Sequence, residues 1–377
     1  MNAENSKAVS LEANRFAAAR RVLSDAIAAR AFPGCAFGVL AEGQDLRPLT
    51  YFDALGNFTY EAGSPPVTAA TVYDLASVTK VVATTAAAML LQQRGLLNLD
   101  SLLGDLLPEF LSGRPPADGA KKVTLRHLLA HNSGLPGYVE FFRTDTTPSE
   151  LLRACLRLPL EAEPGARAEY SDPGFILFGK ALEVIVGESL PSWVHREIFH
   201  PLEMTSTRFS PPPAARAEIP PTEEDQSFRK RRIQGEVQDE NAWVLQGAAG
   251  HAGLFSNVPN LLRFAGEILN VQLKKVPTED QANLFDSDTV QLFAERQGPK
   301  GSSRALGWDT PSENSSSGHR FSPHSIGHLG YSGCSLWIDL DSAVAVVLLT
   351  NRTWPHRESL LIREVRPAFH DAIREAL

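Results

Sequence analysis

The chain is poor in cysteine, with three residues in 377: Cys35, Cys155 and Cys334. They are widely spaced and odd in number, so they make neither a disulfide framework nor the paired spacing of a structural metal site. No apolar run reaches the 18 residues of a membrane-spanning helix. No apolar stretch of secretory length follows a basic start, because Glu4, Glu12, Arg15, Arg20 and Arg21 interrupt the N-terminal region. The expectation is a cytoplasmic protein with no signal peptide and no membrane partner. Positive charge is not in excess either. The formal net charge is −8, which argues against nucleic acid as a partner. Basic residues cluster once, at Arg229, Lys230, Arg231 and Arg232, shortly after Glu223, Glu224 and Asp225, and this run reads as a solvated loop.

What remains is a globular composition, 43% apolar and 21% charged, long enough for two lobes around a sizeable core. Helical periodicity runs over residues 12–31 (Phe16, Ala19, Val22, Leu23, Ile27) and stops at Pro33-Gly34. Residues 35–40 read as a short buried strand, and 51–60 as one or two more around Gly56-Asn57. The clearest helix spans 78–94, is apolar nearly all round and ends at Gly95. Residues 100–210 are mostly helical by pattern, with one helix near 174–186. The proline- and charge-rich stretch 209–234 is expected to be an exposed loop or crossing segment. Residues 257–271 form a helix capped by Ser256 or Asn257, and 297–325 are polar and rich in Gly, Ser and Pro. Residues 329–339 and 343–350 are two apolar runs joined at 340–342, a β-hairpin, and a last helix covers 358–376. Strands at both ends with helices between predict an α+β fold. One antiparallel sheet is built from both termini and flanked by helices, with an inserted, mostly helical subdomain. No internal repeat is present.

Three elements carry chemistry. Ser77-Val78-Thr79-Lys80 places a serine and a lysine at i and i+3, on one helical face. A serine hydroxyl is a weak nucleophile without such help, and the start of a helix favours the negative charge that develops there. Burial in the apolar helix is expected to lower the Lys80 pKa. S-x-x-K alone is weak evidence: Ser227-Phe228-Arg229-Lys230 also matches, but lies in the polar stretch. Tyr170-Ser171-Asp172 precedes an apolar helix, and a tyrosine beside a cation can shuttle a proton. Tyr51-Phe52-Asp53 also fits but precedes the serine. His328-Leu329-Gly330 opens the C-terminal hairpin, where a small residue on an edge strand admits a substrate to the backbone. The N–H of Tyr331 can complete an oxyanion hole with that of Ser77. His251-Ala252-Gly253 competes for this role but precedes a helix.

In that order the elements resemble the serine β-lactamase and penicillin-binding-protein superfamily, whose S-x-x-K, S/Y-x-N and K-T-G set is characteristic. The likeness is to the class C β-lactamase-like branch, with its carboxypeptidases, D-aminopeptidases and esterases. Leu125 to Pro136 (LRHLLAHNSGLP) and Gly247 to Ser256 (GAAGHAGLFS) are typical of this branch. The resemblance implies one β-lactamase-like catalytic domain over 1–377, with an α/β lobe near 1–76 and 250–377 and a helical lobe near 77–249. It implies acylation at Ser77, proton sharing with Lys80 and proton transfer through Tyr170, with no cofactor and no metal. Asp172 then stands where an asparagine binds the substrate amide, and His328 replaces the lysine of the third motif.

Leu329 stands where β-lactamases carry a hydroxyl that helps to bind carboxylates, and histidine is only partly charged near neutral pH. Asp172, if ionised, repels anions further. These departures favour small neutral esters or amides, with β-lactam or D-Ala-D-Ala peptide cleavage as the alternative. A non-catalytic binding protein of the same fold is a further one.

Overall fold

The computed structural model describes residues 14–42, 48–115, 119–272 and 283–377. The start of the N-terminal helical pattern, and the segment on which the reading of the leader rests, lie outside them. Among the described residues no helix is long and apolar enough to cross a membrane.

Helix α1 (Ala17–Ala28) leads into strands β1 (Gly34–Glu42) and β2 (Pro48–Gly56). Short strands β3 (Tyr73–Asp74), β4 (Arg208–Phe209), β5 (Glu223–Asp225), β6 (Arg231–Ile233) and β7 (Leu254–Ser256) follow within the helical middle of the chain. The C-terminus adds β8 (Ser325–Leu329), β9 (Ser335–Asp339) and β10 (Val344–Thr350). The main sheet has the order β2-β1-β10-β9-β8 with every pairing antiparallel, so both termini build it, as predicted.

Strand β10 shows why the sheet forms. Its seven residues are all buried, because both faces of the sheet are covered. Val344, Val346 and Leu348 pack with Phe37, Phe369 and Ile373 under α1 and the last helix. Ala345, Val347 and Leu349 pack with Leu261 and Ala265 on the other side. The period of two thus sorts one apolar run onto two cores. Each large side chain so buried contributes roughly 1.5–3 kcal/mol.

Four elements differ from expectation. The helix predicted over 78–94 is three pieces: a 3₁₀ turn at Ala76–Val78, π-type turns at Lys80–Thr85 and helix α2 (Ala86–Gln93). Periodicity reports an apolar surround but not a slip of the hydrogen-bond ladder, and such slips gather at functional sites. Here the wide turns are clasped from outside, with Thr84 Oγ1 donating to Gly250 O at 2.7 Å.

The second difference is the stretch 209–234, expected as an exposed loop or crossing segment: Lys230, Arg231 and Arg232 are exposed, but part of the stretch is ordered and buried. Strands β5 and β6 pair, Asp225 is buried, and the Arg229 side chain is 2% exposed. Asp225 accepts the backbone N–H groups of Ser227, Phe228 and Arg229. Arg229 donates to Asp225 and to the carbonyls of Val237 and Gln238. A charge run read along the chain cannot disclose a partner that arrives from elsewhere.

Third, residues 329–339 do not make one strand. The chain turns after Leu329, so His328 lies near the end of β8 rather than at the start of a hairpin with β10. Fourth, the last helix begins at Ile362, not 358. The polar segment 297–325 is anchored to the sheet: Asp309 pairs with Gly327 along the outer edge of β8, and Trp308 is fully buried.

Candidate active site

Ser77 sits in the 3₁₀ turn that follows β3. Its predecessor Ala76 has φ +46°, the left-handed region that a side chain rarely enters, so the turn is strained. Asp74 holds it. This carboxyl is buried and accepts Ala76 N–H at 2.8 Å and Gln238 N–H at 2.7 Å. Burial, opposed by those two N–H groups, pushes its pKa up to about 6. Ser332, just past β8, donates to the Asp74 carbonyl. The end of β8 is thereby pressed against the serine turn. A Cβ on Gly330 would run into the Leu75 carbonyl oxygen. Gly330 therefore admits the neighbouring backbone, and it also lines the cavity in which the sequence suggested that it admits substrate.

Lys80 is fully buried, and its three N–H groups are all engaged. They reach Ser77 Oγ at 3.0 Å, Asp172 Oδ1 at 2.7 Å and His251 O at 3.1 Å. Burial pulls the Lys80 pKa down, but the charge of Asp172 and the Tyr170 hydroxyl outweigh it and leave the pKa above the ordinary lysine value. This corrects the expected lowering: the burial is as predicted, but the compensating carboxylate comes from 92 residues away.

Tyr170 and Asp172 are set by a network that starts in the 131–137 segment. Glu169 N–H donates to His131 O, Ser171 N–H to His131 Nδ1, and Asp172 N–H to Gly137 O. Ser171 caps helix α3 (Asp172–Val186) by accepting Gly174 N–H at 3.0 Å. The His131 ring lies against the Tyr170 ring, with centroids 4.7 Å apart. The Tyr170 hydroxyl meets both Lys80 and Ser77. Its pKa is nevertheless raised, because burial outweighs the nearby cation. Asp172 does not present a bare repelling charge, since Lys80 holds it directly.

His328 is 3% exposed, with its ring 5.9 Å from that of Tyr170. Its Nδ1 donates to Leu329 O at 2.8 Å, while Nε2 is buried and has no partner among the described residues. Burial, then the cations of Lys80 and Arg304, push its pKa well below the ordinary value. The expected partial charge is thus absent, and His328 is neutral at neutral pH. Tyr331 is half exposed, and among the described residues neither its N–H nor that of Ser77 donates to another protein group. Ser77, Tyr170, Asp172, His328, Gly330 and Tyr331 line one cavity of about 790 Å³, with Lys80 behind Ser77.

Two of the three rejected sequence matches lie elsewhere in chemistry. Tyr51 donates to Asp53 on the sheet, and Ser227 donates to Asp225. Sequence reasoning missed three contributors. His251, set aside as a third-motif match, gives its carbonyl to Lys80, and its ring is held by Asp239 at 2.9 Å. Burial favours neutral Asp239, but His251 outweighs it and holds the pKa at about 2. His131 lies inside the stretch from Leu125 to Pro136 already singled out. Arg304 lines the cavity from the polar segment and had no signal beyond the apolar Ala305, Leu306 and Trp308 beside it. Among the described residues no group of three His, Cys, Asp or Glu side chains could hold a metal.

An ammonium donating to a serine oxygen, with a tyrosine beside both and two free N–H groups nearby, is an arrangement suited to acyl transfer. Comparison with known proteins agrees in kind. Residues 19–366 match the family model described as Beta-lactamase. A Salmonella agona protein provisionally named a D-alanyl-D-alanine carboxypeptidase is 30% identical over 315 residues, covering 76% of this chain and 70% of that one. The unliganded simvastatin synthase LovD of Aspergillus terreus superposes with a TM-score of 0.72 at 21% identity, over 94% of this chain and 97% of its own. EstCE1, a hydrolase with promiscuous acyltransferase activity, gives 0.71 at 22% identity, over 95% of this chain and 100% of its own. The last two likenesses are of fold.

Proposed function

This chain belongs to the Beta-lactamase family, and from that premise we propose that it is a serine hydrolase that forms an acyl-enzyme on Ser77 and cleaves small esters or amides. The observation that carries the reading is Lys80 Nζ lying 3.0 Å from Ser77 Oγ while Asp172 holds it at 2.7 Å. The ammonium donates to the serine oxygen, which leaves the serine proton to pass to the Tyr170 hydroxyl. Held as a cation, Lys80 stabilises the charge developing on Oγ rather than serving as the resting base. Tyr170 takes the Ser77 proton as it gives its own to the leaving oxygen or nitrogen. The bond from Oγ to the acyl carbon forms as the ester or amide bond breaks. The N–H groups of Ser77 and Tyr331 meet the carbonyl oxygen. Water then repeats the sequence and releases the acid. Asp172 in this reading positions Lys80 and does not bind the substrate amide.

The test is a fluorophosphonate probe followed by intact mass. A single covalent adduct that Ser77→Ala abolishes is expected, and an unmodified wild-type chain would overturn the reading. The name of the 30% identical relative favours a second one, cleavage of D-Ala-D-Ala peptides or β-lactams. Nitrocefin separates the two: kcat/KM at or above roughly 10⁴ M⁻¹s⁻¹ favours the second.

A further inference from the structure

Five arginines line this cavity; three are engaged by protein groups, and Arg363 is exposed to solvent. Arg352 donates to the carbonyls of Tyr331, Arg357 and Ser359. Arg357 is paired with Glu223 and Glu240. Arg366 is buried on the carbonyls of Gly330, Gly333 and Cys334. Arg304 is different. Among the described residues its guanidinium makes no hydrogen bond, and its nearest carboxylate is Asp309 at 3.8 Å, beyond hydrogen-bond reach. That Asp309 oxygen already accepts Ser303 Oγ at 2.7 Å and Thr310 N–H at 3.1 Å. The Arg304 side chain is only 23% exposed, with Cζ 5.3 Å from the centroid of the Tyr170 ring.

Its backbone is also fixed. Arg304 N–H donates to Ser302 Oγ, and Gln297 N–H donates to Arg304 O at 2.7 Å. Arg304 and Asp309 bridge each other, Asp309 exchanges two hydrogen bonds with Gly327 of β8, and the intervening Leu306 and Trp308 are fully buried. A guanidinium whose backbone is fixed and whose donors are free toward the cavity is preorganised for an oxyanion, and its planar fork matches a carboxylate. The adjacent third-motif strand offers no cation, since His328 is neutral and Leu329 has no donor.

We infer that Arg304 is a specificity-determining residue that binds a carboxylate of the substrate through its guanidinium, beside Tyr170. The inference deepens the hydrolase reading above and rests on it for the word substrate. It also reverses the sequence-based preference for neutral molecules.

Two matched pairs of esters test it. Phenyl acetate against 3-acetoxybenzoate puts the carboxylate on the leaving side. p-Nitrophenyl butyrate against mono-p-nitrophenyl glutarate puts it on the acyl side. In one pair the wild type should favour the anion in kcat/KM. Arg304→Gln should lower that preference ratio by about 10- to 100-fold, the effect of losing a charged hydrogen bond, and Arg304→Lys should fall between. A ratio unchanged by Arg304→Gln in both pairs would overturn the inference, as would equal loss on both members of each pair, which marks a structural role. A binding arm needs no acylation. In a Ser77→Ala background, calorimetry should detect 3-acetamidobenzoate more tightly than 3-acetamidobenzamide, and Arg304→Gln should remove the difference. No difference before that change also overturns it. Failure of the probe to label Ser77 sinks the hydrolase reading alone, because the calorimetry still decides the subsite.

Discussion

On the wall of the cavity that carries Ser77, Lys80, Tyr170 and Asp172, the reacting groups hold one another. Every N–H of Lys80 is engaged, and each partner is positioned in turn by Asp74, His131 or Asp239. On the wall made by β8 and the segment along its edge, polar capacity is left open. Among the described residues the Arg304 guanidinium has no hydrogen bond and Leu329 has no side-chain donor, while unpartnered ring nitrogens occur on both sides, at His328 Nε2 here and at His131 Nε2 and His251 Nδ1 behind the reacting groups. A saturated wall tolerates little change in any member, because removing one leaves a buried charge or donor unpaired. An open wall waits for a ligand. In the proposed reading, chemistry and selectivity are housed in separate elements, the first between helices and the second on the sheet edge.

Three experiments break or sharpen that contrast. The largest effect is expected on the saturated wall: Lys80→Ala and Tyr170→Phe should each lower the rate of Ser77 acylation by roughly 10²–10⁴-fold. Losses below about tenfold, read by stopped-flow with a chromogenic ester, would show that Lys80 does not stabilise the developing charge and that Tyr170 transfers no proton. Next is the seam between the walls. Gly330→Ala puts a methyl group into the Leu75 carbonyl and must push β8 away from the Ser77 turn. A displacement near 1 Å should lower kcat/KM by about 100-fold, with a change in Tm that reflects about 1–3 kcal/mol of overpacking. Unchanged kcat/KM would mean that the strand's distance from Ser77 is not critical.

The smallest effect concerns acid. His131 backs one wall and His328 lies on the other, and burial pushes both pKa values well below the ordinary 6.5. Below pH 6.5 the unfolded chain binds protons at these rings while the native state does not, so stability falls as pH falls. Each ring accounts for about 1.4 kcal/mol per pH unit. Asp74 acts in the opposite sense. Its folded pKa is raised to about 6, so the native state gains a proton first and stability rises as pH falls through that value. The buried His370 ring, pushed down to about 4, adds to the fall outside the cavity, so urea midpoints in wild type should drop between pH 7.5 and 5. His131→Gln and His328→Gln should each shrink the drop, and an equal drop in both variants would place the acid sensitivity outside the cavity.

Much of the fold was legible. Apolar runs near both ends and the order of elements pointed to the antiparallel sheet from both termini, and the apolar run after Asp172 marked helix α3. The π-type turns at Lys80–Thr85 were not legible, because a shifted ladder leaves the apolar pattern intact. Nor was the burial of Arg229, whose partners include carbonyls of Val237 and Gln238 that local composition does not reveal.

The sequence by itself determined the identities and spacing of the site: a serine and a lysine one turn apart, a tyrosine before a capped helix, and a histidine and glycine near the chain's end. These are local facts, set by helix geometry and by residue order. Only the tertiary structure decided their charges. Lys80 is buried as its neighbours foretold, yet it remains a cation because Asp172 arrives 2.7 Å away. His328 is neutral because Lys80 and Arg304 arrive beside a ring already removed from water. Desolvation can be guessed from an apolar stretch, but Coulomb energy depends on distance through space, and the chain's folding sets those distances.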